Sequence, residues 1–181
     1  VDLGLPSGTK WATMNVGASK PSDAGLYFQW GDTSGYTADQ VGKDKQFASD
    51  FSDYKWYESG SFDDDNIVFK KYTTPGATLE LEDDAAHVNM GGAWRMPTPD
   101  QINELLNTAY TTNEWTTQDG VNGRLFTSKK DGTKSIFFPT AGFAWVGSVL
   151  YSGDLGYVWS SVLNTDYVNG GQYLYFYSGV V

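Results

Sequence analysis

The sequence contains no cysteine, which removes disulfides, thiolate nucleophiles, cysteine-ligated zinc and iron–sulfur clusters together. It contains one histidine, His87, so multi-histidine metal sites are excluded and a single imidazole is left for acid–base work. Basic residues are scarce: 12 Lys and Arg stand against 22 Asp and Glu, for a formal charge of -10. With no basic cluster beyond the pairs Lys70-Lys71 and Lys129-Lys130, no nucleic-acid partner is expected, because nothing neutralises a phosphate backbone. A run of about 18 apolar residues is missing, so no membrane span is expected. No leader-like segment opens at Val1. Phosphate loop, dinucleotide fingerprint and nucleophile elbow are missing too.

What is present is apolar and aromatic. The 181 residues are 40% hydrophobic and 16% aromatic, enough to build a core and to fit one domain over 1–181. The Pro6/Gly8 turn leads into a predicted strand over Trp11–Val16, and Gly25–Gly31 is a second, glycine-bounded aromatic element. Positions 33–78 read as a long acidic surface excursion with a short strand at Ile67–Tyr72; Asp44 to Asp84 holds 11 of the 22 acids. Two helices are predicted. The first covers about Glu82 to Met90, with Ala85, Ala86 and Val88 inward and Gly91-Gly92 as its stop. Glu80, Glu82, Asp83 and Asp84 at its start meet the helix dipole favourably. The second opens at Thr98-Pro99-Asp100-Gln101, a capping box with proline at the first helical position, followed by the stripe Ile102, Leu105 and Leu106. Beyond Asn113 the pattern is strands and loops, with a hairpin over Leu125–Ser128 and Ser135–Pro139.

The last 47 residues hold 12 of the 29 aromatics and only two charges, Asp154 and Asp166. Gln172–Tyr177 alternates with period two, placing Leu174 and Phe176 on one face and Tyr173, Tyr175 and Tyr177 on the other. From Ala141 onward, 20 of 41 residues are Tyr, Ser, Gly or Asn, the composition of a binding surface in which tyrosine supplies contact area at low entropic cost. A loop-rich β region with half-buried tyrosines has the same composition, and the two readings stay open. Other clusters are weaker. Asp63-Asp64-Asp65-Asn66 lacks the glycine and distal glutamate of a calcium loop. Asp83 and His87 lie four apart and form a candidate acid–imidazole pair. Asn164-Thr165-Asp166 offers oxygen ligands but is also common turn chemistry. Paired carboxylates for glycoside chemistry are a matter of spatial separation, which a sequence does not display.

Three stretches together carry a resemblance: Val1-Asp2-Leu3-Gly4-Leu5-Pro6-Ser7-Gly8-Thr9-Lys10-Trp11-Ala12; Leu81–Asn89 leading into Gly92-Ala93-Trp94-Arg95-Met96-Pro97-Thr98; and Gly156-Tyr157-Val158-Trp159-Ser160-Ser161. They resemble the Fibrobacter succinogenes major paralogous domain, a branch of the C-type lectin fold shared with formylglycine-generating enzymes. The resemblance implies an α+β fold: two helices packed on small antiparallel sheets, with long irregular loops on the ligand-facing side. Formylglycine generation requires cysteine and does not carry over. The Glu-Pro-Asn and Trp-Asn-Asp calcium motifs of sugar-binding lectins are absent, so no cofactor is expected, and calcium is left without a motif to hold it. Members close with a strand near Ser-Val-Arg-Pro-Val, whereas this sequence ends at Val181. Some members of the broad fold resemble variable proteins of diversity-generating retroelements, in which asparagine-type codons are randomised to residues that never include tryptophan. Val146, Tyr151, Ser152, Asp154, Leu155, Tyr157, Val158, Val162, Tyr167, Val168, Tyr173, Tyr175, Tyr177 and Val180 are such residues, with Trp159 fixed among them.

The expectation is therefore a non-catalytic module on a bacterial surface, binding a protein or glycan through 141–181. Its candidate ligand-binding residues are Val146, Tyr151, Asp154, Tyr157, Val158, Tyr167, Tyr173, Tyr175 and Tyr177, with aromatic anchors supplying most of the affinity. The alternatives are a carbohydrate-binding module stacking sugars on Trp145 or exposed tyrosines, a polysaccharide-active enzyme using isolated acids, and a structural adhesin or pilus component.

Overall fold

A computed structural model describes residues 1–61 and 66–181. In chain order the elements are β1 (Tyr57–Ser59), β2 (Val68–Phe69), a 3-10 turn at Leu81–Asp83, α1 (Ala85–Met90), α2 (Pro99–Leu106), β3 (Thr111–Gln118), β4 (Val121–Ser128), β5 (Ser135–Pro139), β6 (Phe143–Trp145), β7 (Ser148–Leu150), β8 (Gly156–Leu163) and β9 (Gly171–Phe176). Strands β3-β4-β5 form one antiparallel sheet, and β1-β2, β6-β7 and β8-β9 are two-stranded ladders. Two short helices beside small antiparallel sheets make this an α+β chain.

The helix starts follow local chemistry. Thr98 Oγ1 accepts from Gln101 N at 3.2 Å and Gln101 Oε1 accepts from Thr98 N at 2.9 Å, so the capping box forms as predicted. Caps of this kind contribute about 1 kcal/mol. Ile102 and Leu105 are buried and Leu106 packs against the same cluster. The first helix is shorter than its acidic lead-in suggests. Glu82 and Asp83 lie in the 3-10 turn, and Asp84 is the N-cap. Asp84 accepts from His87 N at 2.9 Å through Oδ1 and from Met96 N at 2.9 Å through Oδ2, tying α1 to the Trp94–Pro97 segment. Ala85 and Ala86 are buried, but Val88 is 50% exposed, because the six-residue helix packs through its first turn and its second projects past the cluster.

One predicted strand does not form and another is shortened. Over 11–16 the backbone is satisfied by turns and side chains instead of a ladder: Trp11 N donates to Val1 O, Leu26 N to Val16 O, and Asn15 Nδ2 to Ala24 O. Of Ile67–Tyr72 only Val68–Phe69 is extended, and Lys70 N turns back to Trp56 O. The element at 25–31 is likewise irregular, with a single bridge from Tyr27 to Tyr36. The hairpin over β4 and β5 is present, and β4 also pairs with β3 across Asp119-Gly120, whose φ values of 49° and 81° make a type I′ turn.

Two apolar clusters hold these layers. One joins Leu3, Leu5 and Trp11 to Ile102 and Leu105 of α2, to Phe126, Ile136 and Phe138 of the central sheet, and to Leu174 and Phe176 of β9. The other gathers Trp30, Leu79, Ala85, Ala86, Met96 and Leu163. The irregular stretch after Thr33 is anchored rather than loose. It buries Val41, Phe47 and Phe69, and Lys45 is buried beside Asp53 with their charged atoms 3.6 Å apart.

Candidate ligand-binding face

β8 and β9 pair in the register Gly156↔Phe176, Tyr157↔Tyr175, Val158↔Leu174 and Trp159↔Tyr173. Directly opposed residues share a face, so the ladder sorts its side chains into two sets. Val158, Leu174 and Phe176 turn inward. A Cβ on Gly156 would lie 1.9 Å from Phe176 Cζ, so only glycine fits opposite that ring. Tyr157, Trp159, Tyr173 and Tyr175 occupy the opposite face. The period-two reading of β9 thus holds for the core face: Leu174 and Phe176 are buried, Tyr173 is 51% exposed, and Tyr175 and Tyr177 are half-buried.

The outward rings form a continuous ladder. Tyr151 stacks on Phe143 with centroids 5.9 Å apart, and Phe143 meets Tyr157 edge-on at 5.3 Å. Tyr157 contacts Tyr173 at 5.4 Å and Tyr175 at 5.0 Å; Tyr175 reaches Tyr177 at 5.7 Å, and Tyr173 reaches Trp159 at 5.8 Å. Offset and edge-to-face pairs of this kind contribute about 0.5–1.5 kcal/mol each, so the ladder stiffens its own surface. Partial burial, with smaller contributions from Tyr175, Tyr173 and Tyr151, raises the pKa of the Tyr157 phenol, so it is neutral at physiological pH.

Among the described residues, the hydroxyls of Tyr151, Tyr157, Tyr167, Tyr173, Tyr175 and Tyr177 form no hydrogen bond with the protein. Of the other six tyrosines, Tyr36 and Tyr110 also leave the hydroxyl unbonded among the described residues, while Tyr57 donates to Gly60 O at 2.9 Å and three more are tied over longer range. Tyr27 donates to Ala141 O at 2.7 Å, Tyr54 to Trp30 O at 2.8 Å and Tyr72 to Asp83 Oδ2 at 2.7 Å. Phenols used to brace the fold are tied; those on the ladder are free to bond a ligand.

Not every sequence-predicted residue joins this face. Val158 is a correction: it opposes Leu174 and packs against the larger core cluster, because alternation places it one residue out of phase with Tyr157. Tyr167 is exposed in the loop after β8, outside the ring contacts of the ladder, and Asp154 is exposed beside β8. Val146 lies at the tip of the β6–β7 hairpin, 56% exposed, with φ 44°. The sequence reading missed Phe143, which joins Tyr151 to the rest; its signal is the alternation Phe143-Ala144-Trp145 after Gly142.

The polar candidates resolve differently. Asp83 and His87 do not pair. Asp83 receives Lys55 Nζ at 2.8 Å, Lys71 Nζ at 2.6 Å and Tyr72 Oη at 2.7 Å, while His87 Nδ1 faces Arg95 Nη1 at 2.6 Å. Burial pushes the Asp83 carboxyl up, but the bonds from Lys55, Lys71 and Tyr72 outweigh it and hold the carboxyl below its usual range. Burial and the bond to Asp83 push the Tyr72 phenol up to about 12. The carboxylates of Glu80, Glu82 and Asp83 converge, but Lys71 Nζ lies 2.7, 3.3 and 2.6 Å from them and already supplies their counter-charge. Asp166 N donates to Asn164 Oδ1 at 2.8 Å, a local turn. Asp63, Asp64 and Asp65 lie outside the described residues. Comparison with protein-family models, curated proteins and solved structures returns no match for this chain.

Proposed function

We propose that this chain is a non-catalytic binding module with a C-type lectin-like fold, displayed on a bacterial surface and recognising a protein or glycan through the β8–β9 tyrosine ladder. The observation that carries the reading is the untied state of the ladder's phenols, set over an inward face of Leu174 and Phe176. Rings held by one another and free at the hydroxyl provide rigid contact area with polar tips, the combination that dominates recognition surfaces. The surrounding sequence from Ser135 has no Lys or Arg and only two acids, which favours contact by rings and neutral hydrogen bonds over charge pairing.

The resemblance to variable proteins of diversity-generating retroelements extends the proposal. Tyr151, Tyr157, Tyr173, Tyr175 and Tyr177 are the ladder members of the randomisable set, Val146, Ser152, Asp154, Tyr167 and Val180 are exposed around them, and Trp159 would stay constant between them. A near-identical template copy beside a reverse transcriptase at the genomic locus is the expected finding, and lack of both removes this extension. Trp145, 44% exposed on the β6 hairpin, favours a second reading in which sugar rings stack on it. The deciding experiment screens the chain on glycan and protein arrays beside a Tyr173→Ala/Tyr175→Ala double variant. Loss of capture with the fold intact supports the ladder. Capture untouched by the double variant but lost on Trp145→Ala supports the sugar platform and refutes the ladder.

A further inference from the structure

A second concave surface opens beside the ladder: a cleft of about 970 Å³ between the 10–16 and 26–29 segments, the Trp94–Pro97 segment and the near ends of β5, β6 and β8. That volume lies near the top of the range of about 300–1,000 Å³ for small-molecule sites. Its walls are apolar, with Trp94, Met90, Leu26 and Phe28 among them. In a chain of 22 acids and 12 bases, no Asp or Glu among the described residues lines this cleft. The two charged residues that do are Lys10 and Arg95, both exposed at its rim. Among the described residues neither takes part in an ion pair. Arg95 uses only Nη1, toward His87 Nδ1 at 2.6 Å and Trp94 O at 2.5 Å, which leaves Nη2 and Nε as donors.

We infer that this cleft binds an apolar carboxylate, an aromatic or acyl acid whose body fills the hydrophobic walls and whose charge lies at the Lys10/Arg95 rim. The inference rests on charge placement. An apolar wall alone accepts any hydrophobe; the polar side chains set in it, Asn15, Gln29 and Gln101 among them, are neutral, and the charges found there are both cationic. Two cations without an acidic partner among the described residues select an anion, even though the molecule as a whole repels one. A guanidinium is well matched to a carboxylate, since its parallel N–H groups bond both oxygens. The cleft shares the inner rings of the ladder, Phe143, Tyr157, Trp159 and Tyr173, whereas Tyr151, Tyr175 and Tyr177 at its outer end do not line it.

The test compares 2-naphthylacetate with 2-naphthylacetamide, two probes of one shape that differ in charge, by calorimetric titration at pH 7 with tryptophan fluorescence as a second signal. The wild-type chain is expected to bind the acid at a single saturable site at least tenfold more tightly than the amide. Lys10→Gln/Arg95→Gln should abolish that preference while retaining weak binding of both probes, and Tyr175→Ala should leave both affinities unchanged. The inference is overturned if neither probe saturates, if the wild type binds acid and amide alike, or if the preference survives in the double variant. Loss of acid binding in Tyr175→Ala also overturns it, by merging the cleft with the ladder. Because Tyr173 lines both surfaces, Tyr175→Ala, outside the cleft, is the variant that separates this test from the ladder's.

Discussion

The chain contains two dense aromatic neighbourhoods built on opposite terms. Around Asp83, the rings of Trp56 and Tyr72 meet at 6.0 Å and are crossed by cations: Lys55 Nζ lies 4.4 Å and Lys71 Nζ 5.1 Å from the Trp56 centroid. Every polar tip there has a partner inside the protein, and the charge of a buried carboxylate holds the group together. On the β8–β9 ladder only Trp159 is tied, through Nε1 to Phe28 O at 3.0 Å, and among the described residues the phenol tips meet no protein acceptor. The comparison shows that aromatic density by itself says little about function. What distinguishes a brace from a recognition surface is whether the polar end of each ring is already used.

The largest expected effect lies directly beneath the ladder. Phe176 is fully buried against Gly156, Phe138 and the α2 cluster, so Phe176→Ala should cost about 3–5 kcal/mol in a urea titration through transfer and cavity terms. Tyr175, its half-buried neighbour on the opposite face, loses two ring contacts when replaced by alanine and should cost less, about 1–3 kcal/mol. Equal costs for the two would erase the distinction between inward and outward faces.

The next largest effect belongs to the charged neighbourhood. Asp83→Asn leaves Lys71 and Lys55 without their buried partner, and removal of one member of such a group costs about 3–5 kcal/mol when fully buried. Lys55 and Lys71 retain solvent contact, so about 2–3 kcal/mol is expected here. The pH dependence has a definite sign. Because the folded Asp83 carboxyl is held below its unfolded value, its contribution is present above about pH 4 and is lost as pH falls through the folded value. Lys71, raised by its bonds to Asp83, Glu80 and Glu82, and Tyr72, pushed up to about 12, contribute below their unfolded values near 10 and lose that contribution as pH rises through the folded ones. Thermal melts from pH 3 to 7 should therefore show a shallower acid loss in Asp83→Asn than in the wild type. Parallel curves would mean the carboxylate does not hold the group.

How much of this was legible in the sequence depended on range. The Thr98–Gln101 box, the β4–β5 hairpin and the alternation of β9 are signals spanning a few residues, and each appears in the fold. Asp119-Gly120 is an equally local hairpin signal that the reading passed over. The rest depended on distant partners. Asp83 finds Lys55, 28 positions away, in preference to His87, and nothing in a helical spacing rule anticipates that. Val158 was drawn onto the binding face by its residue type, whereas strand phase places it inside. The cleft joins Lys10, Leu26, Arg95 and Trp145, far apart in sequence, so no local pattern announces it.

A smaller effect separates stability from recognition on the ladder itself. Tyr173→Ala/Tyr175→Ala removes four ring contacts but no buried core, so the melting temperature should fall by about 5–15 °C with the cooperative transition kept while array capture is lost. A collapse of the fold would move these rings from the recognition surface to the brace category.

The smallest effect sharpens how the ladder's rim is held. Val146-Gly147 closes the β6–β7 hairpin with φ values of 44° and 73°, the two-residue turn in which Asn-Gly is preferred. A β-branched side chain is strained there. The tip is clamped from outside: Val146 N donates to Phe47 O at 3.1 Å and Gly147 N to Gln46 O at 2.6 Å. Gly42 approaches so closely that an added Cβ would lie 2.2 Å from Gly147 O. The acidic segment therefore enforces a backbone that valine resists. Val146→Asn should relieve this by about 0.5–1 kcal/mol, raising the urea midpoint at constant m, because asparagine tolerates the left-handed region and the clamp bonds are made by the backbone. A lowered midpoint would show instead that the isopropyl group contributes packing at the tip, and that the rim beside Trp145 belongs with the braced region of the molecule.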